Sequence, residues 1–348
     1  MSEELVDGIA WTAWQRGEVL PSRRFPNPAH RAKLLKSCGA LDYPLDRDHC
    51  FRNFVAYGRQ ESCQRQRARA ISGLASNPPA WRAAVEQAIE NAAHPESRGP
   101  FDVDAEAAAV MLEIYPLWVA LSYWLAEAGI VFALRALVRC HDISPLARDS
   151  DPGDTTYLFD RPDDRRGLVT HDRWELLRCM LADAIEPTYD EAHGIADLAR
   201  IRAQDPEVQL LIAFAFPDEH AWARDAAPAA LALSKKRRGV FALANYLTVA
   251  PIKTAMKLVD RSPSWMVSNR IATLLAHHGA EATPVLAKLL SHAGNDSQRS
   301  NWCDYMLSIR TAGATRALDR LARQARSARA QRLFTRYSTK HRALMARQ

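Results

Sequence analysis

Residues 279–290 read GAEATPVLAKLL and residues 312–322 read AGATRALDRLA. At an offset of 32 the two align: Ala280, Ala282 and Thr283 match Ala312, Ala314 and Thr315, and Leu286 and Leu289 match Leu318 and Leu321. Ser268-Asn269 and Leu275 extend the match back to Ser300-Asn301 and Leu307, giving eight identities in 23 positions, with Lys288 opposite Arg320. A fainter copy lies 31 residues upstream, where Leu243, Lys257 and Leu258 answer Leu274, Lys288 and Leu289. Each copy reads as two helices. Ile271, Leu274, Leu275 and His278 follow helical spacing up to Gly279, and Leu286, Leu289 and Leu290 form a second apolar stripe before Gly294. A hairpin of this kind cannot bury both its faces alone, so the pattern predicts hairpins stacked into an α-solenoid.

Helix punctuation recurs along the chain on either side of these stretches. Asn27-Pro28, Asn77-Pro78, Asp205-Pro206 and Ser262-Pro263 each set a capping side chain before a proline at the first helical position. Gly39, Gly58, Gly73, Gly129 and Gly279 follow apolar-periodic runs, where a left-handed residue can close a helix. The segments between are rich in Ala, Leu, Arg and Glu, and alternating β-branched runs are scarce. The expected fold is all-α, with the solenoid in the C-terminal half and irregular helices in the N-terminal half.

The two quoted stretches, with DPEVQLLIAFAF (Asp205–Phe216), resemble HEAT-like α-solenoid repeats over about residues 205–330. The repeat here is shorter than the ~40 residues usual for that family. The resemblance implies a surface for docking a macromolecule, and is shared by scaffolds, inhibitors, nuclear transport factors and DNA-repair proteins.

The 348 residues suffice for two domains. From Asp142 to Asp172 the chain is rich in Pro, Gly and Asp, which marks a linker or functional loop. The expected division is a helical region over 1–143, a linker or loop over 144–170, the solenoid over 171–330 and a basic helix over 331–348. The net charge of +6 is unevenly placed: from Arg316 onward the chain carries +9, and the preceding part −3. The opening MSEELVDGIAWTAWQRGE lacks the basic and apolar regions of a signal peptide. The most apolar run, Ile114–Ala126, spans thirteen residues, short of the ~20 needed to cross a bilayer. A cytoplasmic protein with no membrane span is expected.

The repeat places Lys257, Lys288 and Arg320 at equivalent sites on successive second helices, opposite the leucine stripe. Stacked helices sit about 8–10 Å apart, so the three cations are expected to form a ladder along a groove, suited to an acidic protein surface or a phosphate backbone. An ordinary solvated face gives the same pattern. Arg316 and Arg323 add to the basic patch, and Trp265, one turn into its helix, is a candidate contact. The tail arginines wrap around their helix, which leaves Leu318, Leu321, Leu333, Phe334 and Tyr337 to cap the last repeat. Cys38, Cys50 and Cys63 lack the paired spacing of a zinc site and are expected as buried thiols. Asp149, Asp151 and Asp154 lack calcium-loop spacing. No phosphate loop, nucleophile elbow or metalloprotease motif occurs, and no cofactor is expected. His141-Asp142 looks like the dyad of HD phosphohydrolases, but Ser144-Pro145 follows and the only upstream partner of note is His94.

Three functions follow. The leading expectation is a non-catalytic solenoid, a scaffold or an inhibitor of the immunity type, that binds another protein with an acidic surface. The alternative is a nucleic-acid-binding solenoid using the basic groove and tail. The second alternative is the metal phosphohydrolase.

Overall fold

Alanine and leucine dominate the segments between the prolines and glycines, and nearly every described stretch is helical. The computed structural model describes residues 5–22, 27–30, 47–73, 79–94, 101–112, 114–115, 117–142, 144–147, 155–158, 177–179, 181, 189–201, 206–236, 240–260 and 268–347. The fold is all-α apart from two short antiparallel ladders, β1 (Leu5–Val6) with β2 (Ile9–Ala10), and β3 (Ser144–Ala147) with β4 (Thr155–Leu158). The chain divides into two compact units, one of Ala32–Gln204 and one that joins Met1–Arg31 to Asp205–Gln348. This division differs from the one expected at 144–170. The N-terminal residues pack with the C-terminal unit, which begins at Asp205 and not at 171. Of the expected linker only β3 and β4 are described, and they form a hairpin.

In the Ala32–Gln204 unit the described residues form α2 (Arg47–Gly58), α3 (Glu61–Ser72), α4 (Pro79–Ala93), α5 (Val103–Met111), α6 (Leu117–Glu127), α7 (Gly129–Asp142) and α8 (Tyr189–Ile201). Every residue of α5 from Ala105 to Met111 is buried, Glu106 among them, so this helix is enclosed on all sides. It packs between α4 and α7. The apolar run read as a core helix is α6, where Val119, Leu121 and Trp124 are at 0% exposure. The Trp124 indole Nε1–H donates to Glu106 Oε2 at 2.7 Å, which satisfies two buried polar groups at once. Phe54 stacks on Tyr115 and Tyr123 with ring centroids 4.3 and 4.4 Å away. The α8 helix packs on α7 at Gly194, where a Cβ would come within 2.9 Å of Val131. Among the described residues no helix is long and apolar enough to cross a membrane. The five described cysteines are buried and form no disulfide; Cys38 lies outside the described residues.

The other unit begins with a strap. Asp7 and Gly8 both have positive φ, 50° and 76°, the two-residue turn that matches strand twist. Then comes α1 (Ala13–Glu18), entered through a capping box in which Thr12 and Gln15 exchange hydrogen bonds at 3.2 Å. Asn27 accepts from His30 N at 3.1 Å, the cap expected before Pro28, and its amide donates to the Arg16 and Val19 carbonyls. The other three Asx/Ser-Pro caps lie outside the described residues.

After α1, the described residues of this unit form α9 (Pro206–Ala215), α10 (His220–Asp225), α11 (Ala227–Lys236), α12 (Val240–Leu247), α13 (Ile252–Val259), α14 (Ser268–His278), α15 (Thr283–His292), α16 (Asp296–Ser308), α17 (Ala312–Gln324) and α18 (Ala328–Met345). They pack in two files: α9 on α12, α12 on α14 and α14 on α16, and beside them α11 on α13, α13 on α15 and α15 on α17. Leu286 and Leu318, equivalent in the repeat, are both at 0% exposure. The C-terminal helix α18 closes against α16 and α17, burying Phe334 and Tyr337 as the apolar spacing required, with polar contacts as well. His341, at 0% exposure, donates from Nε2 to the Ile309 carbonyl at 2.7 Å and lies 2.8 Å from the Thr315 hydroxyl through Nδ1. Burial holds the imidazole below its ordinary value.

The strap ties the two repeats together. Ala280 N donates to the Asp7 carbonyl at 3.1 Å and Arg310 N to the Gly8 carbonyl at 2.9 Å, so one turn satisfies a loop amide in each hairpin. Ile9 bridges Ile309, and Leu20 N donates to Thr273 Oγ1 at 2.9 Å. Gly279 sits at φ +57°, and a Cβ there would come within 2.8 Å of the Asp7 carbonyl oxygen and Cβ. By contrast Gly73 caps α3 at φ −87°, without the left-handed backbone expected of it. Replacing Gly279 by alanine therefore forces either left-handed strain or release of the strap. We expect Gly279→Ala to destabilise the protein by about 1–3 kcal/mol in urea unfolding and to speed amide exchange at Ala280 and Arg310. Unchanged stability and exchange would contradict this account of the strap.

Candidate functional site

The stripe of α15 that does not face the leucine core runs through Pro284, Ala287, Lys288 and Ser291, and the facing stripe of α17 through Gly313, Arg316, Ala317 and Arg320, with the core residue Leu321 at the edge. These helical i, i+3, i+4, i+7 positions line a groove of about 600 Å³ that reaches Met256 on α13. Small side chains form its floor, because Ala287, Ala317 and Gly313 leave room between the two helices. Three cations, Lys288, Arg316 and Arg320, stand on its walls.

These cations are not equivalent. Lys288 Nζ lies 2.5 Å from Asp260 Oδ2, so one of the expected ladder rungs is already engaged with its own fold. Arg316 and Arg320 are exposed and form no ion pair or hydrogen bond with any described residue. They sit one turn apart on the same face, a like-charge arrangement that costs an isolated helix about 0.2–0.5 kcal/mol. Asp319, between them in sequence, faces α18 instead. It accepts from Ser338 at 2.5 Å and from Arg342 Nη2 at 2.6 and 2.7 Å. The Ser338 bond first, then the Arg342 and Arg323 guanidiniums, hold its carboxyl below the usual carboxylate range.

Lys288, Arg316 and Arg320 share the groove. Lys257 is exposed on α13 but off the groove wall, where its neighbour Met256 takes the lining position. Arg323 is exposed beside Asp319, also off the wall. Trp265 lies outside the described residues, as do the side chains of His141 and Asp142. His94 is exposed, 3.9 Å from Glu90. The basic tail is partly spoken for within the fold, since Arg329 lies 2.5 Å from Asp296 and Arg342 clasps Asp319.

A second cleft, also about 600 Å³, was not anticipated from sequence. It gathers His220, His277 and His278 with Asp7, Arg224 and Glu281. The His220 and His277 rings lie 5.4 Å apart and His277 and His278 4.5 Å apart. The adjacent histidines are visible in the sequence, but His220 joins them only through folding. Among the described residues no three His, Cys, Asp or Glu side chains are placed to hold a metal ion. His278 is half-buried, and its Nε2, shielded from solvent, has no hydrogen-bond partner among the described residues. Burial, with His220 adding to it, pushes its imidazole down to about 4 against a bond to the Ala250 carbonyl.

The sign of the resulting pH dependence is fixed. An unfolded histidine takes up its proton near pH 6.5, whereas folded His278 resists until about pH 4. Stability is therefore lost as pH falls from 6.5 toward 4. Between pH 7 and pH 5 the loss from His278 is expected to reach about 2 kcal/mol, and urea unfolding of His278→Gln should show a correspondingly shallower decline. Equal declines in both proteins would contradict this.

Among known families, the YehI second domain matches residues 56–249. No curated protein and no solved structure matches the chain. The matched stretch runs from the end of α2 through α12 and stops before α13, so the basic groove lies beyond it. Because the match covers more than half of the residues, the chain belongs to the YehI second-domain family.

Proposed function

We propose that the unit built on Asp205–Gln348 is a short α-solenoid of HEAT-like hairpins and a non-catalytic binding module, holding an acidic segment of another protein in the groove between α15 and α17. The observation that carries this reading is the Arg316–Arg320 pair, two guanidiniums on one face over an apolar floor, with no carboxylate of their own. An unneutralised like-charge pair beside Ala317 and Leu321 is suited to a ligand that brings both carboxylates and apolar surface. A phosphate backbone fits less well. Within the groove it would need a run of uncommitted cations, whereas of the three lining cations Lys288 is held by Asp260 and two remain.

The test compares full-length wild type with R316E/R320E, both immobilised in native lysate at low salt, with and without nuclease, and quantified by mass spectrometry. A protein captured in stoichiometric amount by wild type is expected to fall by roughly tenfold or more on the variant, equivalent to ~1.4 kcal/mol, and to be indifferent to nuclease. Capture that is equal on both proteins would refute the groove as the site. Capture that disappears with nuclease would assign it to nucleic acid.

A further inference from the structure

We infer that the segment held between α15 and α17 is itself an α-helix, amphipathic and acidic, carrying a pair of carboxylates four residues apart. The inference rests on the protein-binding reading above and concerns the conformation and charge pattern of the occupant. The first argument is backbone chemistry. Beyond their first turns both walls are helices whose N–H and C=O groups are already paired along the helix, and none of the described lining residues belongs to a strand. An extended peptide lying there would lose water from its backbone groups and find no ladder to replace it. A helix arrives with those groups satisfied and docks through side chains alone. Proline-rich segments dock in aromatic-lined grooves, and the described lining of this one holds no aromatic side chain.

The second argument is shape. The floor residues Ala287, Ala317 and Gly313 are small, so a third helix can settle between two ridges at the ~8–10 Å axis separation of packed helices. From Gly313 to Gln324 the lining stripe covers eleven residue steps, about 16 Å at 1.5 Å per residue, or three helical turns.

The third argument is charge spacing. Arg316 and Arg320 are separated by about 6 Å along their axis, the same interval that separates Asp or Glu residues four apart on a partner helix. Each guanidinium can then take one carboxylate in the forked geometry that arginine favours. Apolar residues on the same face of the partner would cover Ala287, Ala317 and Leu321.

The experiment uses fluorescein-labelled synthetic peptides about 18 residues long, enough to be helical in isolation, titrated against the full-length protein by anisotropy. The parent is an amphipathic Ala/Leu-rich helix with two glutamates four apart. The comparisons carry glutamine at both acidic positions, a central proline, or lysine at both acidic positions. Binding of the parent should weaken roughly tenfold or more with glutamine, with proline, or against R316E/R320E, and the lysine peptide should recover binding to R316E/R320E. Equal binding of the proline peptide, equal binding of the parent to wild type and R316E/R320E, or no binding of the parent each overturns the inference. A lysate protein that is lost from R316E/R320E while the parent peptide fails to bind would leave the protein-binding reading standing and remove the helical occupant alone. Matching melting curves for R316E/R320E and wild type confirm that the exposed pair acts at the groove and not through folding.

Discussion

The rotational setting of two helices governs everything the groove can do. Leu286 and Leu289 on α15 and Leu318 and Leu321 on α17 turn one stripe inward, and burying each leucine is worth about 1.5–3 kcal/mol. Turning either helix by one residue, about 100°, would drive a leucine into water and carry Lys288 or Arg320 toward the apolar interior. The cations therefore face outward because the leucines face inward. The groove between them is as deep as Ala287, Gly313 and Ala317 are small. Its charge is what remains after neighbouring carboxylates have taken their partners.

That partition of charge separates the groove from the tail. Asp260 holds Lys288, Asp296 holds Arg329, and Asp319 holds Arg342. The last of these pairs also anchors α18 across α17, together with Ser338 and the buried imidazole of His341. The basic C-terminal region thus plays two parts: some of its arginines fasten the end of the unit, and Arg316 and Arg320 stay uncommitted. The net charge of +9 describes neither part by itself.

Much of this was legible in the amino-acid order because it is local. Leucine spacing gave the helices and their inward faces, and the 32-residue offset paired Leu286 with Leu318 and Lys288 with Arg320. Gly129 and Gly279, read as helix ends, have the positive φ of 79° and 57° that such ends require. What escaped notice depends on residues far apart. Asp7-Gly8 between Val6 and Ile9 is a hairpin signal in its own right, but nothing near it says that its carbonyls meet Ala280 and Arg310. The three-histidine cleft has the same origin, since His220 reaches His277 only through folding. The chain's division into a continuous and a discontinuous unit follows from that strap as well. Lys257 was matched to Lys288 at an offset of 31, one short of the 32 that relates the two later copies, and Met256, at the full offset, holds the lining position beside it.

The strap also sets an order of events during synthesis. Leu20 waits for Thr273, 253 positions later, and Gln15 for Asp304, 289 positions later. At a translation rate of about 5–20 residues per second, roughly 15–60 s pass before these partners emerge from the ribosome. During that interval Ile9, Val19 and Leu20, all at 0% exposure once folded, have no native surface to rest on. A segment made so long before its partners is among the last to find its place, and its apolar residues are open to chaperones until those partners follow.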